Sequence, residues 1–240
     1  MSIALEWKKT KRTGFFLTFV AGGLLAGAVP ILNMMVREKC YVGRKEPAVD
    51  IILNANWQLM AMLTILLLLV GACMLYHTEY ADNAIQRMRT MPKRECGLFY
   101  SKCGLLLFMS IFLVFLQALA IYFCMVHWFA YTAEQISVLI YNFSYTFILL
   151  LPSVFGFLLI ASVCNNMWIP LGIGVVCIFT ATMLPTNNRW LSLFPFALPF
   201  QTYVGKDWNT IRMDLLAAVV ESMLACIAEG IILKGRRALA

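Results

Sequence analysis

Residues 57–76, WQLMAMLTILLLLVGACMLY, run for twenty positions without a charge. A helix of that length rises about 30 Å, the thickness of a bilayer's hydrocarbon core. Inside lipid every backbone N–H and C=O must be satisfied by the protein itself, so such a stretch folds as a transmembrane helix. Comparable charge-free stretches occur at Phe15–Val36, Cys103–Val126, Ile136–Val163 and Trp168–Leu184, and a sixth, the least apolar because it holds Glu221 and Glu229, at Asp214–Leu233. The chain therefore reads as an all-α polytopic membrane protein with six transmembrane helices, one domain over residues 1–240. Its 62% hydrophobic and 13% charged residues lie far from the roughly 45–50% and 25% of soluble chains. Those values exclude a secreted domain, a cytosolic enzyme and a disordered tail. Pro152 inside the fourth span predicts a kink or tilt there.

Lysine and arginine orient the spans. The N-terminus, the 77–102 loop and the C-terminus share one side and carry twelve of these residues, against seven in 37–56, 127–135 and 185–213. Both termini are expected in the cytoplasm. The first span follows a basic segment, as a signal peptide does, but it is longer and lacks a small-x-small cleavage site. It reads as a retained span. The net charge of +7 belongs to span-flanking residues that meet anionic lipid headgroups. There is no interleaved basic and aromatic patch for nucleic acid. Five of the eight cysteines fall within spans and only Cys40 faces outward, so no structural disulfide is expected. The fourteen methionines show no repeated metal-ligand spacing and read as adaptable packing.

The most informative polar stretch follows the second span, at 78–92. Tyr80, Ala81, Ala84, Ile85 and Met88 form one helical stripe, and Asp82, Asn83, Gln86, Arg87 and Arg89 fill the other face. Thr78 is placed to cap the start, and Pro92 ends the run. Two readings fit a short amphipathic cytoplasmic helix: a connector lying among headgroups, or a helix that docks into a cytoplasmic partner. The N-terminus is a second such element, with Ile3 and Trp7 one turn apart in a basic segment suited to the membrane interface.

The E-W-K-K-T-K-R-T segment at 6–13, the six-span layout and the E-Y…R-x-R-T-x-P-x-R…Y-x-K pattern between Glu79 and Lys102 resemble the permeases of type-2 ABC exporters. With the outer F-P-F-A-L-P-F segment at 194–200, the chain is most similar to permease subunits of lantibiotic self-immunity and antimicrobial-peptide resistance transporters. The resemblance implies an interfacial elbow over 1–14 and a coupling helix over 78–92 that together touch an ATPase. The matching docking positions are Glu79, Tyr80, Asp82, Asn83, Arg87 and Arg89. No Walker motif occurs in the chain. The ATP and Mg would be carried by a separate nucleotide-binding subunit, and this chain would bind no cofactor. Six spans are half of the twelve such exporters use, which implies a second permease subunit, similar or identical. The implied location is the plasma membrane of a bacterium, and the implied cargo is a cationic antimicrobial peptide. A lipid, drug or ion is the alternative cargo, and a sensor or anchor subunit is the alternative of another class.

Residues 185–213 hold Trp190, Phe194, Phe196, Phe200, Tyr203 and Trp208, with Pro195 and Pro199 interrupting helix. Two readings are open: an interfacial aromatic anchor, or the re-entrant segment that the resemblance places here. Phe194, Phe196 and Phe200 are candidates to meet an amphipathic cargo. Within the last span, Glu229 can reach toward Lys234, Arg236 or Arg237. Glu221 has no such exit. A carboxylate at mid-bilayer costs about 2.5–3.5 kcal/mol, so Glu221 either bonds between helices or lines a path for a cation. The two carboxylates lack a histidine or a second acid at catalytic spacing, which argues against an intramembrane enzyme.

Overall fold

A computed structural model of the chain describes residues 3–11, 13–80, 96–129, 132–164, 166–184 and 189–238. Among these residues the secondary structure is helical. A short helix α1 (Ile3–Thr10) precedes α2 (Phe15–Tyr41), α3 (Ala48–Tyr80), α4 (Cys96–Trp128), α5 (Ala133–Val163) and α6 (Trp168–Met183). A connection with α7 (Arg189–Ser192) and a 3₁₀ turn at Leu198–Phe200 leads to α8 (Trp208–Ala238).

Among the described residues, five helices are long and apolar enough to cross a bilayer: α2, α3, α4, α5 and the Trp208–Ile232 part of α8. The chain is a multi-pass membrane protein. The expectation of six full spans meets one difference, at α6. Its 16 residues rise only about 24 Å, short of a 30 Å core.

The bundle is built around α3, which packs on α2, α4, α5 and α6. Small residues let these helices approach closely, the usual device where lipid offers no hydrophobic drive to association. A Cβ at Gly71 would lie 2.6 Å from Phe19 Cζ, and one at Gly23 would lie 2.8 Å from Leu116 Cδ1. Polar rungs cross the same seams. Asn33 Nδ2 donates to Asn56 Oδ1 at 2.7 Å between α2 and α3. Gln117 Nε2 donates to Thr64 Oγ1 at 2.6 Å between α4 and α3. Helix α8 is peripheral and packs chiefly on α5. Of its most apolar window 17% is buried, against 56% for α3.

The second span runs further than its apolar stretch suggests. Helix α3 continues through Tyr80, and the Thr78 hydroxyl bonds the Leu75 carbonyl at 3.0 Å inside it. Thr78 therefore does not cap a new helix. His77-Thr78-Glu79 contains no glycine or proline to stop the helix as it leaves the apolar region.

The described part of the connection, 189–207, descends along α5. Ser153, 20 residues beyond Ala133 and so about 30 Å of helix rise from it, donates to the Pro195 carbonyl at 2.8 Å. Phe196 stacks on Phe157 at 4.6 Å between ring centroids. Nearer the start of α5, Asn142 Oδ1 accepts the Tyr203 backbone N–H at 2.9 Å. The Tyr145 hydroxyl donates to Asp214 Oδ2 at 2.5 Å, and Lys206 Nζ reaches the same oxygen at 2.6 Å. Burial pulls the Lys206 ammonium below its usual range, and the neighbouring Asp214 opposes that shift.

Candidate functional site

The elbow is assembled by its own sequence. The Thr10 hydroxyl bonds the Glu6 and Trp7 carbonyls at 3.0 and 3.2 Å, closing α1. Gly14, at φ +75°, takes the left-handed conformation that turns the chain into α2. Trp7 sits against Phe16, 4.5 Å between centroids, and Phe108, 5.7 Å. The other face of α1 points inward: Glu6 and Thr10 are 0% and 1% exposed.

That inward face meets a four-charge cluster. Lys102, the only charged residue in the first three turns of α4, is 0% exposed. Its ammonium donates to Glu6 Oε2 at 3.1 Å, Glu79 Oε1 at 3.0 Å and the Leu75 carbonyl at 2.7 Å. Three acceptors match the three protons of the group. The Tyr76 ring lies 5.3 Å away on a fourth side. Lys9 Nζ donates to Glu79 Oε1 at 2.9 Å and lies 3.4 Å from Glu6 Oε1. Two acids and two bases thus balance in a site largely closed to water. It joins three elements: Glu79 stands on α3 just before residues 81–95, Lys102 on α4 after them, and Glu6 and Lys9 on α1.

Tyr80 belongs to a second tie at the same end. Its hydroxyl donates to the Ser162 carbonyl at 2.5 Å, and the Ser162 hydroxyl donates to Glu229 Oε2 at 2.9 Å. This joins the ends of α3, α5 and α8. Glu229 is 3% exposed, so it is held against α5 inside the bundle.

Of the six candidate docking residues, Glu79 and Tyr80 are bonded into the bundle. Asp82, Asn83, Arg87 and Arg89, with the rest of the 81–92 helix expectation, lie outside the described residues. Glu6, Lys9 and Lys102 were missed by sequence reasoning. A lysine at the apolar entrance of a span, with acids on two neighbouring elements, was the available signal.

Nearer the middle of the bundle a cavity of about 460 Å³ is lined by Thr180, Leu184, Leu191, Leu193, Phe194, Pro195 and Glu221. It lies where α6 stops short, under the descending connection and beside α8. Here the structure brings together two residues singled out in the sequence, Glu221 and Phe194. It does not bring the other two. Phe196 is 7% exposed and packed on Phe157, and Phe200 packs partly buried against the core. Glu221 Oε2 is buried without a hydrogen-bond partner.

No group of three or more His, Cys, Asp or Glu side chains suited to a metal occurs among the described residues. A family model described as ABC-2 family transporter protein matches residues 2–181. No curated protein and no solved structure matches the chain. The matched span runs from the elbow through α6 and contains the whole buried charge cluster. The chain belongs to the ABC-2 family of transporter proteins.

Proposed function

We propose that this chain is one permease half of an ATP-driven exporter in the plasma membrane of a bacterium, with both termini and residues 81–95 in the cytoplasm. A nucleotide-binding subunit carries the ATP and Mg. A second permease subunit, identical or similar, completes a twelve-helix path. The cargo is a cationic antimicrobial peptide of the lantibiotic type, taken from the outer leaflet and expelled without covalent change.

The observation that carries the reading is the cluster of Glu6, Lys9, Glu79 and Lys102. A push on residues 81–95 by an ATPase reaches α3 through Glu79 and α4 through Lys102. The same ammonium holds Glu6, so the elbow moves with them. Pulling the three apart would strip a buried lysine of its partners, which costs about 3–5 kcal/mol. The elements therefore move as one body, the behaviour needed to rock a helix bundle between two states. Docking itself falls to Asp82, Asn83, Arg87 and Arg89, with Glu79 and Tyr80 fixing the helix end from which they project. The descent of residues 193–201 along α5 supports a re-entrant outer segment. The largely exposed face of α8 supports packing against lipid or a second subunit.

The test is a pull-down of the chain from native membranes in mild detergent. A Walker-containing subunit should co-purify. A preparation of the folded chain that brings down no such subunit would remove the export reading and favour a sensor or anchor role.

A further inference from the structure

The geometry points to a binding site for the cationic nitrogen of an amphiphile in the cavity between the end of α6, the descending connection and α8, with Glu221 as its counter-ion. The inference deepens the export reading by assigning the chemistry of the cargo's first contact, and it rests on that reading only for the word cargo.

Three observations carry it. First, Glu221 Oε2 is buried at the cavity without a partner. Elsewhere on α8 the buried acids are matched: Asp214 by Tyr145 and Lys206, and Glu229 by Ser162. A buried carboxylate oxygen left unpaired is costly, and proteins keep such groups mainly where something else completes them. Second, the described lining side chains supply no free donor. Leu184, Leu191, Leu193, Phe194 and Pro195 are apolar, and the Thr180 hydroxyl is spent on the Val176 carbonyl at 2.8 Å. A ligand must bring its own N–H or positive charge. Third, the remaining walls fit the rest of an amphiphile. The leucines offer surface for an alkyl chain or apolar side chains, and Phe194 presents a ring, the surface a cation prefers. The volume, about 460 Å³, lies within the roughly 300–1,000 Å³ of small-ligand pockets.

A lysine or N-terminal amine of a peptide and the amine of a lipid headgroup share this chemistry. Both would be drawn to one carboxylate in an apolar recess, and both would be rejected if the carboxylate were neutralised. An uncharged amphiphile would gain only the apolar contact.

The test is calorimetric titration of the full chain in dodecyl maltoside with dodecylammonium, with empty micelles as background and dodecanol as the uncharged control. No ATP and no ATPase subunit are present, so the outcome is separable from that of the export reading. Saturable binding of dodecylammonium is expected. Glu221→Gln should weaken it about tenfold or more, the worth of one charge-assisted hydrogen bond. Phe194→Ala should weaken it about threefold, the worth of a partly desolvated cation–π contact. Leu193→Lys, which supplies an internal cation, should abolish it and covers the case in which the glutamine variant fails to fold. Loss of the signal in phosphatidylethanolamine discs would assign the site to a lipid headgroup. Displacement by a lantibiotic in the maltoside micelles would assign it to a peptide. Equal binding by wild type and a folded Glu221→Gln variant, or equal binding of dodecanol and dodecylammonium, would overturn the proposal.

Discussion

Lys102 and Glu79 stand on either side of residues 81–95 and meet across them, ammonium to carboxylate at 3.0 Å, in a site where the lysine is wholly enclosed. The same lysine also pairs with Glu6 on α1, so the ends of α3 and α4 and the short helix α1 share one buried ion-pair network.

Lys102→Met should be severely destabilising. It leaves Glu6 and Glu79 buried with only Lys9 to share, a loss of about 3–5 kcal/mol. The triple change Lys102→Met, Glu6→Gln and Glu79→Gln removes the charges together and should recover most of that loss. Thermal unfolding in detergent followed by circular dichroism separates the two. A single variant as stable as wild type would contradict the pairing.

Asn142→Ala should loosen the outer connection. The Tyr203 N–H would lose its acceptor inside a partly closed site, at a cost of about 1–3 kcal/mol. Hydrogen exchange at residues 201–207 should accelerate by roughly tenfold or more, with the α3 and α4 amides unchanged. Exchange that rises equally throughout would show that Asn142 supports the whole bundle.

Phe196→Ala and Phe194→Ala should differ in kind. Phe196 is enclosed and stacked on Phe157, so its loss should cost stability by about 3–5 kcal/mol. Phe194 is half-buried and borders the Glu221 cavity, so its loss should cost less stability than that of Phe196 and act on ligand binding. Equal destabilisation would dissolve the distinction.

Gly71→Leu should disrupt the α2–α3 seam, where Phe19 already approaches to 2.6 Å of a Cβ position. Overpacking of that kind costs about 1–3 kcal/mol. A Phe19→Ala change in the same chain should return part of it. A fully additive pair in the unfolding measurement would mean that the two sites do not touch.

The spans were legible because lipid leaves a simple signature: long runs without charge, such as 57–76, cannot do anything else. Pro195, Pro199 and the aromatic residues around them marked the connection before α8 as irregular. Its depth along α5 could not be read, because that depends on Ser153 and Phe157, some forty positions away. Residue type singled out Glu221, whose Oε2 is buried at the cavity. The hydrogen bond from Ser162 to Glu229 could not be read, because Ser162 is an ordinary serine on another helix. Trp7 and Ile3 suggested a membrane-lying elbow, yet the polar Glu6 and Thr10 are its inward face. Periodicity sorts apolar from polar. It cannot show that a polar face has a buried lysine waiting 96 positions along the chain.

The most direct test of the account is ATP hydrolysis by the reconstituted permease and nucleotide-binding subunit, with and without Arg87→Glu and Arg89→Glu in the permease. The account predicts peptide-stimulated hydrolysis with the wild-type chain. In the charge-reversed pair it predicts loss of both stimulation and co-purification, with the melting transition unchanged. A charge-reversed permease that binds the ATPase and stimulates hydrolysis as wild type does would contradict it.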